Sequence, residues 1–280
     1  MARDSRLDQA DFLLDFCIAT ARSYRVIRPI ASLSELDHRN LQMRSSTLGA
    51  LPPGVRVYAV GDIHGRSDLL ADITDRIDSD TRRRPVERAI EVYLGDYIDR
   101  GPDSKGVIDQ LTVRMVRRGA ICLRGNHESF LEEFLINPKV LPHWIQLGGR
   151  QTLASYGLSF GTPDVTACNA AQRSLQMALP RTHQLFLQCL RNTFCCGDFL
   201  FVHAGIRPGV PLNQQALHDL IWIRDDFLAS DQPHGKIVVH GHTPVAYPDI
   251  RHNRINIDTG AWRSGVLTCM AIEASSVLVL

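Results

Sequence analysis

The amino-acid sequence predicts an α/β fold, and two features of the chain support this prediction. From about residue 55 onward, short apolar runs alternate with segments of helical periodicity, a pattern typical of buried strands joined by helices. Five of these runs end in a tight glycine-containing turn that bears Asp, His or Asn side chains. The 280 residues, 44% of them hydrophobic, are enough to bury one large core.

The N-terminal part of the chain differs from the rest. We predict an accessory segment at residues 1–50, in which apolar residues at 12, 13, 16 and 17 fit a short amphipathic helix. Leu51-Pro52-Pro53-Gly54 then interrupts the pattern. The main domain, residues 51–280, is expected to begin with a strand at Val55 to Val60.

Two later stretches have their own character. Between about residues 129 and 195, apolar residues recur at helical spacings and no cluster of metal-binding residue types occurs. We therefore predict a helical insert that shapes the cleft. Residues that favour β-structure dominate the tail, and the stretches 268–272 and 277–279 are expected to close a second sheet.

The five turns share one position, the carboxyl end of a predicted strand. They carry the following side chains: Asp62 and His64, Asp96, Asn126 and His127, His203, and His240 and His242. In open α/β sheets this edge is where binding sites form, so one shared site is expected. Oxygen and nitrogen ligands in this mixture suit two divalent metal ions, and two adjacent metal ions suit phosphoryl chemistry.

These turns resemble the motifs of a known family. The matching stretches are Gly61-Asp62-Ile63-His64-Gly65, Gly95-Asp96-Tyr97-Ile98-Asp99-Arg100-Gly101, Gly125-Asn126-His127-Glu128, His203-Ala204-Gly205 and Gly241-His242. Over about residues 55–272 the chain is similar to the bacterial phosphoprotein phosphatase (PPP) type of serine/threonine phosphatase, within the calcineurin-like metallophosphoesterase superfamily. The resemblance implies an αββα sandwich of two mixed sheets flanked by helices, with a helical insert.

The resemblance also implies a metal centre. Its two ion sites would be formed by Asp62, His64 and Asp96, and by Asp96, Asn126, His203 and His242. Two divalent metal ions are therefore expected as cofactors, with Mn²⁺ expected in vitro and Fe or Zn as alternatives.

Four further residues receive roles from the same resemblance. His127 would be the general acid, and Asp99 would orient it. Arg100 would bind phosphate oxygens, and Arg224, in the stretch Trp222-Ile223-Arg224, would do the same.

The implied reaction is hydrolysis of phosphomonoesters, foremost phosphoserine and phosphothreonine on proteins, by direct attack of a metal-bridging hydroxide. The alternative is a symmetrical dinucleoside tetraphosphate hydrolase, because that group resembles the same branch. Those hydrolases often lack the second Asp of the Gly-Asp-x-x-Asp-Arg-Gly element, whereas this chain keeps Asp99, which favours the monoesterase. A catalytically silent binding module is a third hypothesis, against which the full ligand set argues.

Charge and composition argue against several other classes. The formal net charge of +1 gives no electrostatic basis for a nucleic acid partner. No apolar run approaches the roughly 18 residues of a membrane helix, so no membrane association is predicted. No secretion signal is evident and the seven cysteines form no C-x-x-C pair, which predicts free thiols in a cytoplasmic protein. The expected partner is a phosphoprotein or a phosphorylated small molecule, and the oligomeric state is not predicted.

Overall fold

The computed structural model describes residues 42–44, 49–159, 161 and 164–280. The amphipathic helix expected near residues 12–17 lies outside these residues. Within the described part, eleven strands form two sheets, and helices flank them. The predicted α/β sandwich of two mixed sheets is therefore confirmed.

The first sheet has six strands in the order β1-β11-β10-β2-β3-β4. In chain order these strands are β1 Gln42–Arg44, β2 Val55–Val60, β3 Arg88–Tyr93, β4 Ile121–Cys122, β10 Cys269–Glu273 and β11 Ser276–Val279. β2, β3 and β4 run parallel, whereas β10, β11 and β1 are added antiparallel. β1 lies within the predicted N-terminal segment, so part of that segment belongs to this sheet.

The second sheet has five strands in the order β5-β6-β7-β9-β8. These strands are β5 Thr193–Cys196, β6 Phe199–Val202, β7 Ile237–His240, β8 Asp249–Ile250 and β9 Arg254–Asn256. β6, β7 and β9 are parallel, and the two edge strands are antiparallel to their neighbours.

One apolar cluster fills the space between the sheets. It joins Val57 and Ala59 of β2 and Met270 of β10 with Phe201 of β6 and Ile255 of β9. All five residues are fully buried, as expected for strands that read as continuous apolar runs. Removal of these apolar side chains from water stabilises the packing of the two sheets.

The expectation that the tail closes a second sheet is wrong. β10 pairs antiparallel with β2, with Cys269 opposite Val60, and β11 pairs with β10 in the same first sheet. The residue pattern indicates that these segments are strands with one buried face. It does not indicate which strand each one pairs with, because that choice depends on contacts far away in sequence.

Helices connect the strands and cover the sheets. Between β2 and β4 lie α1 Ser67–Arg83 and α2 Ser104–Arg118. The region between β4 and β5 contains α3 Asn126–Ile136, α4 Leu141–Gln146, α5 Gly149–Ser155, α6 Val165–Ala178 and α7 Arg181–Gln188. After β6 come α8 Leu217–Trp222, α9 Asp225–Leu228 and α10 Ala261–Ser264. Among the described residues, no helix is both long and apolar enough to cross a bilayer.

Sequence signals set the ends of the second long helix. Asp103 precedes α2 and accepts a hydrogen bond from the backbone N–H of Gly106 at 2.9 Å, which satisfies an otherwise unpaired donor. The helix ends at Gly119, which has a φ of +65° and so adopts the left-handed conformation that glycine tolerates.

Candidate metal centre

The turns that follow the parallel strands hold their side chains in an unusual backbone conformation. Five predicted site residues have positive φ: His64 (46°), Asp96 (51°), Asp99 (71°), Arg100 (66°) and His242 (66°). Among the other described non-glycine residues, only Ala274 shares this conformation. Left-handed backbone costs free energy for residues with a Cβ, and such strain concentrates at functional sites.

Asp96 lies at the middle of the cluster. Its Oδ2 is 3.4 Å from Nε2 of His64 and 3.8 Å from Nε2 of His127, whereas its Oδ1 is 3.3 Å from Nε2 of His203. Two groups of potential ligand atoms result, His64–Asp96–His127 and Asp96–His203–His242, and the atoms of each group lie within 4.8 Å of one another. One carboxylate therefore serves both groups, with one oxygen directed to each.

Backbone carbonyls fix the tautomers of two of these imidazoles. Nδ1 of His64 donates to the carbonyl of Ile98 at 2.8 Å, and Nδ1 of His203 donates to the carbonyl of Leu94 at 2.9 Å. Because a carbonyl oxygen can only accept, Nδ1 carries the proton in both rings. The lone pair of each Nε2 then faces the cluster, the usual arrangement of a metal-binding histidine.

The charges of the site favour a cation. Burial and the neighbouring carboxylates Asp258 and Asp96 raise the pKa of Asp62 well above its usual value. Burial also opposes ionisation of Asp96, but the surrounding imidazoles outweigh it and lower the pKa of this carboxyl. Burial and the charge of Arg100 lower the pKa of His64 well below 6.5, so its ring is neutral at pH 7.

The donor set fits divalent metal ions. Neutral imidazoles and carboxylates are the ligands that Mn, Fe and Zn take in proteins. Within the described part of the chain, Nε2 of His242 is buried and makes no hydrogen bond, which is costly for a polar atom unless a ligand takes its lone pair.

Asp62 and Asn126, both predicted ligands, belong to neither ligand group by distance, but each contacts a residue of the second group. Oδ2 of Asp62 accepts a hydrogen bond from the backbone N–H of His242 at 3.1 Å. The side-chain oxygen of Asn126 is 3.0 Å from Nε2 of His203. A Cβ at Gly241 would lie 2.0 Å from Oδ1 of Asp62, so only glycine allows the two turns to approach this closely.

His127 and Asp99, which we predict to act as a general acid and its orienting carboxylate, are hydrogen-bonded to each other. Nδ1 of His127 is 2.6 Å from Oδ2 of Asp99, and both side chains are buried. The guanidinium of Arg100 donates from Nη2 to Nε2 of His127 at 3.0 Å and from Nη1 to Nε2 of His64 at 2.8 Å. Arg100 therefore contacts two imidazoles of the first ligand group, those of His64 and His127.

Arg224 affects a residue of the second ligand group, whereas His240 lies outside both groups. Burial lowers the pKa of His242 well below 6.5, and the charge of Arg224 adds to this effect, which places the guanidinium near the second group. His240 donates from Nδ1 to the carbonyl of Gly241 at 3.1 Å and contacts the ring of Phe227. It belongs to neither ligand group.

Three buried residues support the site through hydrogen bonds, and only Glu128 was expected from the sequence to do so. The buried carboxylate of Glu128 accepts hydrogen bonds from the backbone N–H groups of Asp96, Tyr97 and Gly125 at 2.8–3.0 Å. Trp144 and Thr152, both in the helical region, donate to the carboxylate of Asp99. The Gly-Asn-His-Glu motif pointed to Glu128, whereas nothing in the sequence marks Trp144 or Thr152.

An aromatic side chain lies at the mouth of the site. The indole of Trp262, in α10, is 39% exposed, and Cζ of Arg100 lies 5.6 Å from the centre of its ring. Arg66 also approaches this helix, because its Nη1 donates to the carbonyl of Ala261 at 3.1 Å. The rim next to the acid pair is therefore both aromatic and basic.

Known proteins are similar to this chain in sequence. Residues 55–263 match the sequence profile of the calcineurin-like phosphoesterase family. A bis(5′-nucleosyl)-tetraphosphatase PrpE (asymmetrical) from Halalkalibacterium halodurans is 26% identical over 229 residues, which cover 75% of this chain and 87% of that protein. A protein of the same name from a Geobacillus species is 26% identical over 249 residues, covering 80% and 94%.

Two solved structures share the fold. A crystal structure assigned provisionally as a diadenosine tetraphosphatase has a TM-score of 0.57 and 20% identity, covering 82% of this chain and 97% of the other. A cold-active protein tyrosine phosphatase has a TM-score of 0.51 and 16% identity, covering 82% and 78%.

Proposed function

Because this chain belongs to the calcineurin-like phosphoesterase family, whose members use a dinuclear divalent metal centre, we propose that it hydrolyses dinucleoside polyphosphates. The two PrpE relatives described above are named as hydrolases of dinucleoside tetraphosphates. The dinucleotide hydrolase, which was the alternative from sequence, is thus placed before the phosphoprotein phosphatase. One structural observation favours it: an exposed indole, Trp262, lies beside the phosphate-binding candidate Arg100.

A nucleobase needs a flat apolar surface next to the site that holds its phosphates. Stacking of a base on an aromatic side chain contributes about 1–3 kcal/mol to binding of nucleotides. A phosphorylated serine or threonine on a protein carries no such ring. Trp262 beside Arg100 would therefore favour a nucleotide over a small monoester.

Metal ions would be held by Asp62, His64 and Asp96 at one position and by Asp96, Asn126, His203 and His242 at the other. When bound, such a pair supplies neutralisation of phosphate charge and lowers the pKa of water.

The chain's own side chains do the rest of the chemistry. Arg100 and Arg224 donate to non-bridging phosphate oxygens, for which a planar guanidinium has matching geometry. Since Arg100 already contacts Nε2 of His127, a phosphate held by Arg100 would lie within reach of that nitrogen. With Arg100 turned to the phosphate, Nε2 of His127 would carry a proton and give it to the departing phosphate oxygen as water attacks phosphorus, and Asp99 would hold the ring by its Nδ1–H.

The products distinguish the modes of cleavage. Asymmetrical cleavage of diadenosine tetraphosphate gives ATP and AMP, whereas symmetrical cleavage gives two molecules of ADP. The alternative expected from sequence was a symmetrical hydrolase, but the relatives are named asymmetrical, and we propose the asymmetrical mode here.

The test is a parallel assay on metal-stripped protein reloaded with Mn²⁺. The substrates are diadenosine tetraphosphate, p-nitrophenyl phosphate and a phosphothreonine peptide, with Asp96→Asn as the blank and nucleotide products separated by chromatography. Rapid formation of ATP and AMP that is lost in the blank would support the proposal. Efficient peptide turnover with a slow reaction on the dinucleotide would contradict it.

Two variants of Trp262 test the nucleobase contact. Trp262→Ala should raise KM for diadenosine tetraphosphate about 5- to 150-fold, because stacking is lost, while Trp262→Phe should retain most of the affinity. p-Nitrophenyl phosphate is the control, since any indirect effect through Arg100 would change its turnover as well. Equal effects on both substrates would exclude a nucleobase at this residue.

The phosphoprotein phosphatase expected first from sequence remains the second candidate. The contact of His127 with Asp99 favours it, because the chain keeps the carboxylate that dinucleoside tetraphosphate hydrolases often lack. The same assay decides between the two.

A further inference from the structure

Asp99 is surrounded by donors from the helical region that follows β4. Oδ2 accepts from the indole N–H of Trp144 at 2.8 Å as well as from His127, and Oδ1 accepts from the hydroxyl of Thr152 at 2.5 Å. The backbone N–H of Asp99 donates to Oγ1 of Thr152 at 2.8 Å and to Oγ of Ser104 at 3.0 Å. All of these side chains are buried.

From this arrangement we infer that Trp144 and Thr152 are positioning residues for the general acid. They act on His127 through Asp99, and the inference rests on the acid role of His127 in the proposed function. A carboxylate with only one partner can rotate about its Cβ–Cγ bond. Here three donors occupy its two oxygens, so its orientation is fixed, and the direction of the Nδ1–H bond of His127 is fixed with it.

Thr152 holds the backbone of Asp99 as well as its side chain. Its hydroxyl oxygen accepts from the N–H of Asp99 while its proton is donated to Oδ1 of the same residue. Asp99 has a φ of +71°, a conformation that costs free energy for a residue with a Cβ. The hydrogen bonds to Thr152 and Ser104 oppose relaxation of this strain. They keep the carboxylate where it accepts from Nδ1 of His127.

Residues 144–152, which include Trp144 and Thr152, also hold the backbone of Arg100. Its backbone N–H donates to the carbonyl of Gly148 at 3.2 Å. Gly148 has a φ of +112°, and a Cβ there would lie 2.6 Å from the nitrogen of Arg100. Trp144, Gly148 and Thr152 are thus spaced four residues apart and contact two consecutive residues of the site. Three polar groups of this segment therefore converge on Asp99 and Arg100.

Trp144→Phe isolates the role of the indole N–H. The ring retains its packing against Phe134, whose centre is 5.3 Å away, while Asp99 loses one donor. Tyr156→Phe is the matched control, because it removes one buried hydrogen bond, from Tyr156 to His183 at 2.8 Å, in the same part of the fold. Tyr156 does not contact Asp99.

The decisive readout is the dependence of kcat on the leaving group. Departure of phenolate from phenyl phosphate needs a proton, whereas 2,4-dinitrophenolate departs from its phosphate without one. Trp144→Phe should lower kcat for phenyl phosphate about tenfold, as expected for one hydrogen bond to a charged group, with little change in KM. It should leave 2,4-dinitrophenyl phosphate nearly unchanged, and Tyr156→Phe should leave both unchanged. Thr152→Val should behave like Trp144→Phe, and thermal melting verifies that each variant is folded.

A double-mutant cycle with His127→Asn tests whether Trp144 acts through His127. If it does, Trp144→Phe should have no further effect on kcat once His127 is replaced. Equal losses on both aryl phosphates, or effects that add to those of His127→Asn, would overturn the inference.

A spectroscopic readout is independent of turnover. The Nδ1 proton of His127, hydrogen-bonded to Asp99, should give a downfield ¹H NMR resonance that disappears in His127→Asn. Its chemical shift should change in Trp144→Phe and not in Tyr156→Phe. If His127→Asn shows no leaving-group preference, the acid role proposed above is wrong, and this resonance alone decides whether Trp144 positions the pair. An unchanged resonance in Trp144→Phe would then overturn the inference.

Discussion

Gly95 lies so close to His203 that a Cβ on Gly95 would be 2.8 Å from Nδ1 of that ring. It would also be 2.7 Å from the backbone nitrogen of Gly125, and the φ of Gly95 is +110°. Two turns of the metal centre are therefore able to meet only because this position has no side chain.

Gly95→Ala should therefore displace His203 and weaken metal binding at least tenfold. We also expect a loss of unfolding free energy of more than about 2 kcal/mol, because strain and a steric clash act together. Gly119→Ala is the control, since Gly119 has a φ of +65° but its Cβ would meet nothing within 4 Å. Gly119→Ala should lower the unfolding free energy by about 1–2 kcal/mol through backbone strain. Its affinity for Mn²⁺, measured by titration, should be unchanged. Equal metal affinity in the two variants would contradict the steric argument.

His127→Asn should retain both metal ions and lose turnover. General acid catalysis typically contributes about 10²–10⁴-fold, so kcat should fall by that factor for substrates with poor leaving groups. Metal content per chain, measured by mass spectrometry, is the essential companion, because Nε2 of His127 lies in one of the two ligand groups. Loss of an ion in this variant would make His127 a ligand, and full activity would remove it from the mechanism.

Removal of metal should destabilise the protein. The centre buries the carboxylates of Asp62, Asp96 and Asp258 close enough that each affects another's pKa, and burial raises the pKa of Asp258 to about 6. A divalent ion at 100 times its Kd would add about 2.7 kcal/mol of unfolding free energy. Chelation should lower Tm and Mn²⁺ should restore it.

Two variants separate specific metal binding from a general salt effect. Asp96→Asn removes the shared carboxylate and should abolish the change in Tm on adding Mn²⁺. Asp72→Asn, in which an exposed carboxylate paired with Arg76 is lost, should keep the full change. An equal response of both variants would mean that Mn²⁺ binds elsewhere.

The amino-acid sequence indicates which residues gather at the candidate site, but it does not indicate the hydrogen bonds that support them. Asp62 and Asp96 follow neighbouring parallel strands of the first sheet, so local pattern brings these two residues to a common edge. His203 follows β6 of the second sheet, so its approach to Asp96 also depends on how the two sheets pack. Trp144 and Thr152 reach Asp99 across 45 and 53 residues of sequence, and no motif around either residue indicates this contact. A hydrogen bond of that kind leaves no local signal.

The pairing of the tail is unpredictable for a related reason. Cys269 lies opposite Val60 and Met270 lies opposite Ala59, so the last strands extend the sheet that begins with β2. Alternating apolar residues would fit the edge of either sheet equally well. The choice is made by packing between sheets, which the tail's own residues do not encode.

A buried ion-pair network away from the metal centre gives the last prediction. Nη2 of Arg114 is 2.6 Å from Oε1 of Glu91, and Nη1 is 2.9 Å from Oδ2 of Asp78. Glu91 is 7% exposed and also accepts from the hydroxyl of Tyr93 at 2.9 Å. Arg114→Met would leave this carboxylate buried without a positive partner, so unfolding free energy should fall by about 3 kcal/mol.

Arg76→Met is the matched control for Arg114→Met. Arg76 forms an equally close pair with Asp72, 2.7 Å apart, but the two side chains are 54% and 55% exposed. Water solvates each partner when the other is removed, so this loss should be under about 1 kcal/mol. Urea unfolding at pH 7 measures both variants, and similar losses would show that burial of Glu91 does not set the contribution of the network.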